Sequence, residues 1–312
     1  MSKKVLIYAA AALFVAALAG VPHQGRALTL TPAIMEVDLT AGQKSLATID
    51  VTNDTTKVMK LETAVYNFTA KGDTGEPDFN FTAPESDLAS WIAVDQGPIN
   101  LKAGATQTVN VVFNTPSTAA AGGHYAAVFM KEVGAAGTGT VKIESMLGTL
   151  FLATVKGTYV ESGSVAAFGL TANQTSFREG PIAFEMQFQN TGDVHLKPSG
   201  TVVIKNMFSK DVASLVINKD KGATLPKSTR TYDASSWDSV GKAFGKYTAT
   251  LNMTAGTVTI TKTVTFWVWS SAGVTTAIVI VVAIVILLVI VVVMLRRKSS
   301  GAAAMPISQP KK

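Results

Sequence analysis

Val258-Thr259-Ile260-Thr261-Lys262-Thr263-Val264-Thr265-Phe266 reads as two interleaved rows. Val258, Ile260, Val264 and Phe266 fall on one face. Thr259, Thr261, Thr263 and Thr265 fall on the other, continuing from Thr257, and Lys262 is the only discord on the apolar side. Successive side chains of an extended chain point to opposite faces, so the stretch predicts a half-buried strand with one wet face. The threonine row is taken as an exposed strand surface, for which Thr is well suited, in preference to a ligand-binding ladder.

The same period recurs upstream. Phe184-Glu185-Met186-Gln187-Phe188-Gln189 alternates without a break, and Val109, Val111 and Phe113 share one face. Turn chemistry separates these runs: Leu39-Thr40-Ala41-Gly42, Leu101-Lys102-Ala103-Gly104, Asn53-Asp54 and Asn190-Thr191-Gly192. Short strands punctuated by Gly, Pro and Asn, with no amphipathic helix between them, predict β-sandwiches. The small polar stretch Glu161-Ser162-Gly163-Ser164 divides them into residues 28–163 and 164–270. The first part carries an excess of acidic side chains and the second an excess of basic ones. Two connections are long: Lys71–Ser90, which carries Phe79 and Phe81, is split evenly between a functional and a plain surface loop, and Gly134–Thr140 reads as a flexible hairpin tip.

The ends of the chain account for its net charge of +6. Lys3 and Lys4 precede an apolar, Ala-rich run, and Gly25 and Ala27 are the small residues before a cut at Leu28. Residues 1–27 therefore read as a signal peptide, with Ala19 as the competing cleavage position. Val274–Leu295 contains no charged residue. As a helix it covers about 33 Å at ~1.5 Å per residue, enough for a hydrocarbon core of ~30 Å. Residues 271–295 are accordingly read as a transmembrane helix and 296–312 as a short basic cytoplasmic tail. Trp267 and Trp269 before the helix, and Arg296, Arg297 and Lys298 after it, are the expected membrane-interface anchors. With these ends set aside the middle of the chain is slightly acidic, which removes the case for a nucleic-acid partner. The fold expected is thus all-β, two tandem Ig-like sandwich domains outside the membrane followed by one transmembrane α-helix.

Chemistry is sparse. The chain has no cysteine and only three histidines, which excludes a disulfide framework, thiolate catalysis and Cys- or His-based metal centres. His124, at a strand start, and His195, in a turn, lack a nucleophile motif nearby. No phosphate loop, HExxH or calcium-loop pattern occurs. The expectation is no catalytic, cofactor or metal site and no enzymatic activity. Trp91 and Trp237 are read as core packing. Asn-x-Ser/Thr occurs at Asn53, Asn67, Asn80, Asn173 and Asn252, which matters only in a host that glycosylates such sites.

Several marker residues together resemble a known family. Leu30-Thr31-Pro32, Ala41-Gly42, Val51-Thr52-Asn53, Trp91-Ile92, Leu101-Lys102-Ala103-Gly104, Pro116, Gly122–Val128 and Leu147-Gly148-Thr149-Leu150 are similar to the peptidoglycan-binding domain of the WxL-interacting proteins of Gram-positive cell surfaces. Phe188–His195 with Pro198-Ser199-Gly200, Leu225–Arg230, Gly245-Lys246-Tyr247 and Thr265-Phe266-Trp267 resemble that family's second Ig-like domain. The resemblance implies a single-pass cell-membrane protein with most of the chain extracytoplasmic. It would be an adhesion and scaffold protein binding cell-wall peptidoglycan, or another wall polymer, and a surface protein of WxL or other type. The family's fold is similar to that of pilus chaperones, which makes partner binding by strand addition one mechanism. The rival readings are a pilus-chaperone-like assembly factor for surface proteins and, more remotely, a wall-modifying enzyme.

Overall fold

The structure, a computed structural model, describes residues 28–81, 87–94, 98–133, 146–172, 174–238 and 240–300. The stretch 1–27 read as a signal peptide, the stretch 134–140 read as a hairpin tip, Asn173 and the chain beyond Ser300 lie outside the described residues. The chain forms two compact units. One runs to Val160 without Gly72–Glu76, and the other joins Gly72–Glu76 to the chain from Glu161 onward.

The first unit holds β1 (Thr29–Thr31), β2 (Ile34–Leu39), β3 (Lys44–Thr52), β4 (Met59–Lys71), β5 (Glu76–Phe79), β6 (Ile92–Val94), β7 (Ile99–Leu101), β8 (Thr106–Asn114), β9 (Gly122–Glu132) and β10 (Met146–Val155). One sheet has the order β1-β3-β8-β6 and the other β2-β10-β9-β4-β5, with β7 also on β4. The first residues of the unit thus serve both sheets: β1 pairs antiparallel with β3, and β2 parallel with β10. The facing rows, including Ile49, Val51, Leu61, Val109, Val111, Val128 and Met130, make the core. Phe113 and Phe151 meet edge to face at its centre, with centroids 5.3 Å apart, a favoured ring geometry. The polar Lys71–Ser90 stretch holds more structure than its composition indicates, since β5 and the start of a short helix, α1 (Asp87–Trp91), lie in it. Both are too short to show a period.

The second unit holds β11 (Gly163–Leu170), β12 (Ser176–Phe177), β13 (Phe184–Asn190), β14 (Ser199–Asn206), β15 (Asp211–Ile217), β16 (Ser228–Asp233), β17 (Phe244–Ala255) and β18 (Val258–Trp269). Its sheets are β11-β13-β16 and β12-β18-β17-β14-β15. The opening stretch of sequence is β18, and its threonines are exposed while Phe266 is buried. Trp237 is buried, as a packing residue, against Tyr247 and Phe266.

Both units use a buried asparagine where a strand ends. Asn53 Nδ2 donates to the carbonyls of Lys57, Leu101 and Lys102 at 2.7, 3.0 and 3.1 Å, and its Oδ1 accepts from Thr55 N and Oγ1. Asn190 Nδ2 donates to Val194 O and Thr224 O, and its Oδ1 accepts from Gly192 N. The sequon at Asn53 is therefore closed in the folded chain, because its amide nitrogen is already committed.

The chain continues into one long apolar helix, α2 (Ser271–Ser300). Its stretch Ser271–Arg296 is long and apolar enough to cross a membrane. Ser270 caps it: Oγ accepts from Gly273 N at 3.1 Å and donates to Ala243 O at 2.8 Å. This is the N-cap geometry that satisfies an orphan helix N–H. Only Ser270 lies between β18 and α2.

Candidate functional site

β10 is mostly apolar in its second half because both its faces are covered: Phe151, Ala153 and Val155 face the core, Leu152 is buried on the opposite side, and Thr154 is half-buried. Along one edge it is paired with β9 over its whole length, Met146↔Lys131 to Val155↔Gly122. Along the other it pairs with β2 only from Leu150 to Val155. The ladder to β2 opens with Leu150 N donating to Ala33 O at 2.9 Å. Backbone groups alternate in direction along a strand, so the N–H and C=O of Met146 and Gly148 point the same way as those of Leu150. Among the described residues no strand is paired with them on that side. The sheet therefore has a half-open edge, and its side chains are apolar: Met146 is 39% exposed and Leu147 41%.

The outer face next to this edge is aromatic. Gly148 stands opposite Phe129, whose ring packs on Phe79 with centroids 5.0 Å apart and on Tyr66 at 6.0 Å. Phe81 adds to the cluster at 4.9 Å from Tyr66. The two phenylalanines that stand out in the polar loop are thus drawn onto a sheet face. β15 presents another edge, but Asp211 at its start pairs with Lys205 at 3.4 Å. Its far end is occupied by Ser235 N donating to Val216 O. Charge at an edge disfavours added strands, which leaves β10 as the more receptive.

His124 lies on β9 beneath α1. Nδ1 is 2.6 Å from Asp87 Oδ1 and Nε2 is 2.9 Å from Ala120 O, and Trp91 packs on the ring at 4.7 Å. Two acceptors facing the two ring nitrogens suit the doubly protonated imidazolium. Burial of the ring opposes protonation, but the hydrogen bond to Asp87, that to the Ala120 carbonyl and the Asp87 charge outweigh it, so the His124 pKa is raised above its usual value. A raised folded-state pKa contributes stability that is complete below the unfolded value and is lost as pH climbs through the folded one. Melts of the first unit as a function of pH should therefore show a decline above the ordinary histidine range, and His124→Gln should flatten it.

The remaining expected positions are dispersed. Trp267 and Trp269 share the exposed face of β18 and stack with centroids 5.4 Å apart. Arg296 is exposed near the end of α2, and the side chains of Arg297 and Lys298 lie outside the described residues. His195 is half-buried in the second unit. There is no cysteine, and no group of His, Asp or Glu able to hold a metal occurs among the described residues. The half-open edge escaped sequence reasoning because it depends on where β2 starts against β10. The only local signal was Met146-Leu147-Gly148, an apolar strand opening interrupted by a glycine.

No family model matches the chain, and no curated protein matches it in sequence. Among solved structures it is similar to the class 5 fimbriae chaperone CfaA, at 12% identity and a TM-score of 0.39, covering 76% of this chain and 98% of that one. The E. coli chaperone DraB gives 13% identity and a TM-score of 0.36, covering 77% and 96%. The CsuC–CsuE chaperone–tip adhesion subunit pre-assembly complex of Acinetobacter baumannii gives 11% identity and 0.35, covering 66% and 89%. Another similar structure, SfaE, is described as a periplasmic chaperone. These matches correct the expected membership of the WxL-interacting family. With it go the peptidoglycan-binding adhesion and scaffold function, the cell-wall character and the single-pass cell-membrane localisation. The markers behind that resemblance are turn and strand residues: Gly42 N donates to Thr115 O and Pro116 O, Gly104 N to Asn53 O, and Gly122–Val128 and Leu147–Leu150 lie in β9 and β10. Such residues mark a sandwich and not its ligand. The similar structures include chaperones described in complex with protein subunits.

Proposed function

We propose that this chain is an assembly factor that holds an extended segment of another protein by adding it as a strand to the open half of β10. The observation that carries the reading is the mismatch between β10 and β2, which leaves the backbone groups of Met146 and Gly148 facing outward beside exposed apolar side chains. Main-chain pairing supplies affinity in strand addition, and alternate side chains supply selectivity. The assembly-factor alternative left open by the sequence is the one this edge supports.

The test uses the full chain in detergent and the host peptide Thr-Val-Thr-Leu-Thr-Val-Thr, followed by amide hydrogen exchange. Leu147 and Thr149 are protected beforehand by β9, so added protection is expected at Met146 and Gly148. Met146→Pro removes one outward N–H, leaves the β9 ladder intact, and should weaken binding by about tenfold. Protection that appears on β15 instead, or nowhere, would remove the proposal.

A further inference from the structure

Backbone pairing alone leaves little net affinity at this edge. Four hydrogen bonds at about 1 kcal/mol each are offset by ordering a similar number of residues at about 1–2 kcal/mol each. A side-chain contact has to decide which segments bind, and Gly148 marks where it lies. A Cβ at Gly148 would come within 2.8 Å of Phe129 Cδ1 and Cε1, so the ring reaches over the bare backbone of β10 toward the open edge. Tyr66 and Phe79 back the ring from the other side, which holds it in place.

The surroundings of that position are apolar. Met146 and Leu150 flank Gly148 on the same outer face, since side chains two apart share a face. Ile34, paired with Leu150, closes the far end and is 57% exposed. We infer that, given strand addition at β10, the partner segment is selected by a bulky apolar side chain placed opposite Gly148 and seated on the edge of the Phe129 ring, between Met146, Leu150 and Ile34. The partner class is an extended protein segment with Leu, Ile or Phe at alternating positions. Gly148 and Phe129 act together, because the missing side chain lets the ring lie across the strand toward the open edge, where its rim forms the seat.

The experiment varies the central residue of the host peptide, Thr-Val-Thr-X-Thr-Val-Thr, with X as Leu, Phe, Ala or Ser, against the full chain in detergent. Leu and Phe should bind about tenfold more tightly than Ala, the yield of a few partly buried methylene groups. Nuclear Overhauser contacts should join the guest side chain to the Phe129 ring protons. Gly148→Ala sets a methyl where the Phe129 ring now lies and displaces the ring without removing a backbone group, so it should keep the exchange protection and abolish the preference. Ile34→Ala, at the exposed rim, should reduce the preference without the ring contact at Gly148 being disturbed. Equal binding of all guests with normal protection at Met146 and Gly148 would overturn this inference and leave strand addition standing. Absence of protection with every guest would overturn both.

Discussion

Truncation of Phe266 to alanine should destabilise the second unit by ~3–5 kcal/mol, the range for removing a large buried aromatic side chain. Phe266 is fully buried and joins rings from several strands and a connecting segment. It meets Phe177 at 6.0 Å, Phe184 at 5.7 Å, Tyr247 at 5.9 Å and Trp237 at 6.4 Å. These neighbours come from both sheets, so no single one can move in and close the cavity without leaving another. Phe266→Leu keeps most of the volume and should cost clearly less. Chemical denaturation followed by hydrogen exchange in β13 and β17 measures both variants. A loss below about 1 kcal/mol for Phe266→Ala would mean that the ring cluster is not the centre of this core.

The second large effect is expected at Asn53. Asn53→Ala leaves the carbonyls of Lys57, Leu101 and Lys102 without their donor and frees the Thr55 groups that bond to Oδ1. Unsatisfied buried polar groups are costly, and the expected loss is ~2–4 kcal/mol in the first unit. Asn53→Asp discriminates the cause. It preserves the acceptor for Thr55 but sets a carboxylate against three carbonyl oxygens, so it should be at least as damaging as alanine. If Asp is tolerated in thermal melts, the donor role of Nδ2 is wrong. Asn190 occupies the corresponding place in the second unit and should behave in the same way.

The period of two makes β13, β18 and the middle of β8 legible in the sequence, because burial on one face leaves its mark on every second residue. Pairing is another matter. That β2 lies parallel to β10 depends on contacts between residues far apart in the chain, and no local pattern records them. The same holds for the candidate site, which exists because β2 starts opposite Leu150 and not opposite Met146. Asn53 and Asn190 are visible as residues ending strands, but their burial is not, since an exposed turn asparagine looks the same in sequence. Phe79 and Phe81 stand out in a polar loop, and the face that receives them cannot be read from it. The family resemblance goes astray for a related reason: glycines such as Gly42 and Gly104 satisfy backbone carbonyls in turns, a need that sandwiches share whatever they bind.

The direct join between β18 and α2 has a mechanical consequence. With Ser270 fastened to Ala243 through both its N–H and its hydroxyl, tension applied along the helix reaches the sheet without a slack segment to absorb it. The strand it reaches, β18, is matched to β17 from Phe244↔Trp269 to Ala255↔Val258. A pull directed along β18 would load those rungs together, in shear, instead of parting them one by one.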